Sequence, residues 1–122
     1  MTSEALVLFA HGSRDPRWAE PFRAIQRKVS ATKPHVAVEL AFLELMEPKL
    51  GDVVDRLASV GATRVTIAPV FMAEGAHVKR DLAELMTRLE QRHPLLELKL
   101  LPAAGEVEAV LDAISTWAAS SV

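Results

Sequence analysis

The stretch ALVLFAHG (residues 5–12) decides the fold, because a continuous apolar run ends abruptly at a histidine and a glycine. Six apolar residues without polar alternation predict a β-strand that is buried on both faces, which is typical of the centre of a parallel sheet. The glycine that follows indicates a turn out of the strand. The histidine therefore stands at the strand's carboxyl end.

Strand-like and helix-like segments alternate along the rest of the chain. The hydrophobic periodicity predicts strands over 5–10, 36–43, 64–70 and 95–101. A first helix starts between residues 15 and 21 and ends before 34, and further helices span 48–60, 78–92 and 106–119. Four βα units in a row predict an α/β fold, a doubly wound parallel sheet covered by helices. The last helix is expected to turn inward Val107, Val110, Leu111, Ile114 and Trp117.

Polar interruptions distinguish the edge strands from the central ones. The fourth strand alternates as LELKL (96–100), and the second contains Glu39 among apolar residues. The wholly apolar first strand suits the centre. We therefore expect the flavodoxin-like strand order 2-1-3-4 with right-handed crossovers. Ligands in such sheets bind beyond the carboxyl ends of the strands, here at the switch point between strands one and three.

The composition is that of a folded globular protein. The 122 residues are half hydrophobic and a quarter charged, and they leave no room for a second core, so we expect one domain over 1–122. A formal net charge of −2 gives no nucleic-acid footprint. The longest apolar runs, 5–10 and 67–73, are too short to span a membrane.

Cysteine is absent from the sequence. Its absence excludes disulfides, thiolate zinc sites, iron–sulfur clusters and a cysteine nucleophile. The opening residues 1–4, MTSE, lack the basic segment and cleavage site of a signal peptide. We therefore expect a cytoplasmic protein.

Three side chains that can bind a metal follow the predicted strands. His11 follows the first strand, Glu44 the second, and His77 the third after a short loop. Because the carboxyl ends of parallel strands share one edge, we expect the three to converge there. Two imidazoles and a carboxylate suit cobalt, nickel, iron or zinc. The alternatives are structural: a helix-capping or loop-bonding His11, a helix-dipole partner in Glu44, and an exposed polar residue in His77.

Apolar and basic residues surround these candidates. The apolar ones, which a flat macrocycle or a partner subunit would cover unless they only close the core, are Leu43, Leu45, Met46, Val70, Phe71 and Met72. The basic ones, which suit ligand carboxylates unless they are only solvated, are Arg14, Arg17, Lys79 and Arg80. His35 and His93 lie elsewhere, and we expect both at the surface.

Other catalytic patterns are weak or incomplete. Gly12 stands alone, without the glycine and lysine of a nucleotide-binding loop, and Ser13 lacks the Gly-x-Ser-x-Gly elbow. The order strand, histidine, glycine resembles that of histidine phosphatases. Those enzymes have an arginine directly before the histidine, where this chain has Ala10.

Three stretches together resemble one family. They are FAHGSR (9–14), FLE (42–44) with Pro48 following, and the long, specific PVFMAEGAHVKRDL (69–82). On these motifs the chain resembles the class II tetrapyrrole chelatases, specifically the short single-domain sirohydrochlorin cobaltochelatases of the CbiX type. Three features depart from the family's pattern: Ala83 stands where many relatives have proline, 101–105 does not match, and no histidine-rich segment is present.

The resemblance implies insertion of a divalent metal into a tetrapyrrole, with no permanently bound cofactor. The family's active-site histidines map onto His11 and His77, and its glutamate maps onto Glu44. Cobalt is the expected metal, hence cobalamin synthesis, with iron and sirohaem or nickel as alternatives. A carrier without turnover would use the same residues.

The resemblance also bears on partners. Longer family members contain two such domains facing each other, so short chains are expected to pair as homodimers. Nucleic acid and membranes are not expected partners. The candidate substrate-binding residues are Arg14, Phe71, Met72, Lys79 and Arg80.

Overall fold

The fold is a four-stranded parallel sheet with helices on both faces, seen in a computed structural model that describes residues 3–122. The strands are β1 (Glu4–Ala10), β2 (Ala37–Phe42), β3 (Arg64–Pro69) and β4 (Glu97–Leu100). Their order, β2-β1-β3-β4, confirms the predicted one. The signal-peptide prediction rests partly on Met1 and Thr2, which lie outside the described residues.

Four helices follow the strands in turn. They are α1 (Glu20–Thr32), α2 (Leu50–Ser59), α3 (Ala76–Arg92) and α4 (Glu108–Ala119). Short 3₁₀ turns at Pro16–Ala19 and Ala104–Glu106 precede α1 and α4. Asp15 caps the first of these turns, because its carboxylate accepts a hydrogen bond from the Arg17 N–H at 3.0 Å. Within residues 3–122, no helix is long and apolar enough to cross a membrane.

The core lies mainly between the sheet and the α2–α3 pair. Alternate residues of the central strands, among them Val7, Phe9 and Ile67, pack there against the apolar stripes of the two helices. A smaller cluster on the opposite face joins Ala10 and Phe42 to the start of α1. The strongly apolar β1 is central because both of its faces are covered, as its sequence predicts.

The prediction for the last helix is wrong in one respect. α4 forms where expected, but Leu111, Ile114 and Trp117 are not turned into the core, and the exposed fraction of Trp117 is 72%. The only element that α4 contacts substantially in the described chain is the 3₁₀ turn before it. The apolar stripe identifies an amphipathic helix, but periodicity does not say which surface covers the stripe.

Candidate functional site

His11 and Glu44 lie side by side at the carboxyl end of the sheet. The β1–β2 hydrogen-bond ladder continues past both strands, from the Leu43 N–H to the Ala10 carbonyl (2.9 Å) and from the Glu44 N–H to the His11 carbonyl (3.0 Å). Neighbouring strands are about 4.8 Å apart. Both residues are exposed. Backbone pairing therefore holds these two candidate ligands next to each other, as the sequence predicts.

Gly12 permits this close approach. Its φ is +98°, a conformation that favours glycine, and a Cβ added there would lie 1.8 Å from the Glu44 carbonyl oxygen. A residue with a side chain would push the two loops apart. In the structure, the group that approaches Gly12 is the chain's own backbone at Glu44.

The His11 ring rests on an aromatic support. Its centroid is 4.3 Å from that of Phe71, with the planes 34° apart, and Phe71 meets Phe9 edge-on at 5.5 Å. Phe71 is only 3% exposed. This arrangement leaves Phe71 almost no surface for direct contact with a substrate, and its visible role is to support the imidazole.

The segment after β4 completes this support, which the sequence did not indicate. The Gly105 N–H donates to the Phe71 carbonyl at 2.9 Å, and a Cβ at Gly105 would lie 1.6 Å from the Met72 carbonyl oxygen. Ala103 beside it is fully buried. Although residues 101–105 depart from the family's sequence pattern, they pack closely against the β3–α3 loop. The one sequence signal for this contact is Gly105, which lies within the 3₁₀ turn Ala104–Glu106.

His77 lies at the same end of the sheet, but within the described residues it does not complete a three-ligand group with His11 and Glu44. It occupies the exposed first turn of α3, after a loop that begins where the Val70 N–H donates to the Phe9 carbonyl at 2.7 Å. Among residues 3–122, no group of three or more histidine, cysteine or acidic side chains is close enough to hold a metal. The three candidates share one rim without forming a preformed three-ligand site, and their metal role stays a prediction.

Basic side chains near the rim differ in what they bind. Arg17 is committed to Asp15 by paired hydrogen bonds at 3.1 and 3.2 Å, and these bonds hold the pKa of that carboxyl below its usual range. Arg14, Lys79 and Arg80 are exposed and make no salt bridge within the described chain. These three remain available to an anionic ligand.

The apolar rim residues divide into exposed and packed ones. Leu45 and Met72 are 52% and 59% exposed, whereas Leu43, Met46 and Val70 are half-buried. Leu45 adopts φ +66°, which is rare for a bulky side chain. Such strain is concentrated at functional sites, and here it falls directly beside Glu44.

The remaining histidines lie away from this rim. His35 is exposed, as expected. His93, also expected at the surface, is instead partly buried: its side chain is only 20% exposed, and its Nε2 lies 2.7 Å from Asp55 Oδ1. The hydrogen bond with His93, together with Arg92 at 2.7 Å, lowers the pKa of Asp55. The two residues are 38 positions apart in the sequence, so sequence patterns alone did not indicate that they pair.

These features define a class: a doubly wound α/β protein with exposed histidine, carboxylate and basic groups at the switch point of its sheet. The CbiX family model matches residues 5–120. The chain belongs to the CbiX family, which confirms the resemblance seen in its motifs.

Individual relatives agree with this assignment. The sirohydrochlorin cobaltochelatase of Methanocaldococcus jannaschii is 37% identical over 90 residues, which are 74% of this chain and 63% of the relative. The sirohydrochlorin ferrochelatase of Bacillus subtilis is 28% identical over 91% of this chain and 42% of the relative. The aligned part thus spans less than two thirds of these curated relatives.

A solved structure matches over nearly its full length. The crystal structure of a CbiX protein from Marinobacter aquaeolei VT8 superposes with a TM-score of 0.82 at 29% identity. The match covers 97% of this chain and 96% of that one. The fold predicted from the sequence is therefore that of a known CbiX protein.

Proposed function

We propose that this protein inserts a divalent metal, cobalt first, into sirohydrochlorin or a related tetrapyrrole. The observation that carries the proposal is the backbone-locked pair of His11 and Glu44 at the switch point, in a chain that belongs to the CbiX family. The cobaltochelatase and ferrochelatase names of the relatives support the reaction class.

The reaction requires proton removal as well as metal binding. A free ring carries two inner N–H protons, and both must leave as the dication enters, so the net charge of the ring complex is unchanged. We assign metal binding to the exposed imidazoles of His11 and His77 and proton acceptance to these groups and Glu44. The ring's carboxylates would pair with the available Arg14, Lys79 and Arg80, and Met72 would contact its face.

We propose further that the working form is a cytoplasmic homodimer. One chain presents exposed apolar side chains at the rim, Leu45 and Met72, and no three-ligand metal cluster within its described residues. A second copy facing this rim would cover the ring's other side. A symmetric pair would repeat the same contact patch on both subunits.

Catalytic turnover is the direct test. Excess cobalt(II) and sirohydrochlorin are mixed anaerobically with substoichiometric protein, and the metallated ring is followed by its absorbance. An enzyme continues past one equivalent per chain, whereas a carrier stops there. The carrier is the second candidate, because no group of three metal-ligating side chains lies together among residues 3–122. A stop at one equivalent would overturn the catalytic proposal.

The metal is tested by the same assay. Two imidazoles and a carboxylate accept cobalt(II), iron(II) and nickel(II), whereas magnesium prefers oxygen ligands and sheds its water reluctantly. At matched free concentrations we expect cobalt fastest, iron slower and magnesium inert. Iron ahead of cobalt would assign the protein to sirohaem synthesis, in line with the ferrochelatase relative. Magnesium ahead of both would contradict an imidazole-centred site.

A further inference from the structure

The His11 ring makes no hydrogen bond to any other group of residues 3–122. Its backbone is fixed, because the His11 carbonyl accepts a hydrogen bond from the Glu44 N–H at 3.0 Å, but the side chain can still rotate. An imidazole that binds a metal almost always donates its other ring N–H to a carboxylate, a carbonyl or a water, and this bond sets its orientation. If His11 binds the metal, another contact within the chain has to orient its ring.

Phe71 is the one aromatic side chain that stacks on His11 in the described chain. The two ring centroids are 4.3 Å apart and the ring planes are 34° from parallel. Two flat rings in this arrangement keep a preferred relative orientation, because their faces attract each other only while they overlap. Rotation of the imidazole would lift it off Phe71. Stacking thus takes the place of the missing hydrogen bond.

Phe71 is itself held on two sides. Its side chain is 3% exposed and meets Phe9 edge-on, with the centroids 5.5 Å apart. Its carbonyl accepts a hydrogen bond from the Gly105 N–H at 2.9 Å. A Cβ at Gly105 would lie 1.6 Å from the carbonyl oxygen of Met72, so the turn before α4 can approach this loop only with a glycine at that position.

The turn that carries Gly105 is built to keep its shape. The N–H groups of Glu106 and Val107 donate to the carbonyls of Ala103 and Ala104 at 2.9 and 3.1 Å, and Ala103 is fully buried. A close-packed interior transmits displacement instead of absorbing it. The turn contributes none of the candidate ligands, yet any shift of it moves the loop on which the His11 ring rests.

We propose that Phe71 and Gly105 are positioning residues for His11. Phe71 orients the imidazole by stacking, and Gly105 fixes Phe71 by allowing the turn before α4 to close on the β3–α3 loop. Because Phe71 is almost fully buried, it acts through His11 and not on the substrate. The catalytic consequence rests on the proposed function, whereas the orientation of the ring does not.

The first experiment compares Phe71→Leu with Phe42→Leu. Both phenylalanines are 3% exposed, but Phe42 lies in the cluster on the α1 side of the sheet. Phe71→Leu should lower kcat about 10- to 100-fold, the usual loss when the support of a metal ligand is removed, with little change in KM for the ring. Phe42→Leu should keep kcat close to that of the wild type, and thermal melts check that both are folded. Equal losses of kcat, or a raised KM with unchanged kcat in Phe71→Leu, would overturn the proposal.

A measurement without turnover tests the orientation itself. NMR spectra are recorded at about pH 9, well above the ordinary imidazole pKa of about 6.5, and the His11 ring protons are identified by their loss in His11→Ala. In the wild type and Phe42→Leu, the Phe71 ring should shift these signals upfield from those of the exposed His35. In Phe71→Leu the shift should disappear. His11 signals that match those of His35 in the wild type would overturn the proposal. A wild type with shifted signals but no turnover would remove only the proposed function.

The second pair of variants tests the turn before α4. Gly105→Ala drives a Cβ into the Met72 carbonyl, whereas a Cβ at Gly51 in α2 would meet only Leu85 Cδ1, at 3.9 Å, among residues 3–122. Gly105→Ala should reduce both kcat and the upfield shift of the His11 signals, and Gly51→Ala should change neither. Far-UV circular dichroism checks that each variant is folded. If Gly105→Ala is folded and keeps the wild-type His11 signals and kcat, Gly105 is not a positioning residue.

Discussion

The candidate site residues at the rim differ from the paired charged groups at the opposite end of the sheet. Away from the rim, Asp55 is bonded to Arg92 and His93, and Arg64 to Glu4 and Glu97. At the rim, His11, Glu44 and His77 are exposed, and none of the three makes a salt bridge among residues 3–122. Paired groups stabilise a fold, whereas exposed unpaired groups at a switch point are free to bind a ligand. The contrast separates a structural histidine from a candidate catalytic one.

The sharpest test of this contrast replaces His11 and His93 by alanine, each in a separate variant. His11→Ala should lower the chelatase rate by about 10²–10⁴-fold, the usual loss of a proton-transfer group, with little change in melting temperature because the ring is exposed. His93→Ala should do the reverse, since it removes the partner of Asp55. Initial rates and thermal melts of both variants are the measurement. Equal activity in the two variants would erase the distinction between the two ends.

Two glycine variants test whether the close backbone approach of Gly12 to Glu44 positions the rim residues. Gly12→Ala and Gly61→Ala both place a side chain at φ near +97°, which costs about 1–2 kcal/mol. Only Gly12→Ala would also drive a Cβ into the Glu44 carbonyl, because no atom of residues 3–122 lies within 4 Å of a Cβ at Gly61. We expect Gly12→Ala alone to lose activity as well, by about 10-fold or more, because small misplacements of catalytic groups are costly. Denaturant unfolding measures the loss of folding free energy that both variants share. A similar loss of activity in both variants would show that the approach of Gly12 to Glu44 does not matter for catalysis.

Acidification tests the pairing at the opposite end. Because the folded-state pKa of Asp55 lies below its ordinary value of 3.8, its ionised form stabilises the fold above that pH. This contribution disappears as the pH falls through the lowered folded-state pKa. Asp55→Asn should therefore be less stable than the wild type at neutral pH, and the difference should close below pH 3.8. Melting temperatures across the acid range are compared with those of Glu90→Gln, which removes from α3 an exposed carboxylate that makes no salt bridge among residues 3–122. If the difference in melting temperature between the wild type and Asp55→Asn were the same at every pH, the ionised form of Asp55 would not be the stabilising one.

The smallest expected effect concerns a single basic residue. Lys79→Ala should raise KM for the ring about 3- to 10-fold with little change in kcat, because one partly solvated ion pair contributes about 1 kcal/mol. Lys33→Ala, which removes an exposed lysine just after α1, serves as the control. Added salt should narrow the gap between wild type and Lys79→Ala. A fall in kcat without a change in KM would place Lys79 in the chemistry rather than in binding.

The motifs predicted the rim well, because the position of a residue after a strand is a local property. His11 and Glu44 follow directly from where two apolar runs end, and the parallel ladder then aligns them. Support for His11 could not be predicted, because Phe71 and Gly105 meet only through a bond between segments 34 residues apart. The same holds for Asp55 and His93 across α2 and α3.

The sequence by itself determined the βα alternation, the strand order and the rim on which the candidate residues stand. It could do so because hydrophobic period and polar interruptions report directly on burial along each element. Only the tertiary structure decided that Gly12 accommodates the chain's own backbone, that His93 is paired, and that α4 projects from its sheet. Those outcomes depend on which surfaces meet. An amphipathic stripe such as that of α4 specifies that a partner surface is needed, and the three-dimensional arrangement of the chain decides whether its own sheet can be that surface.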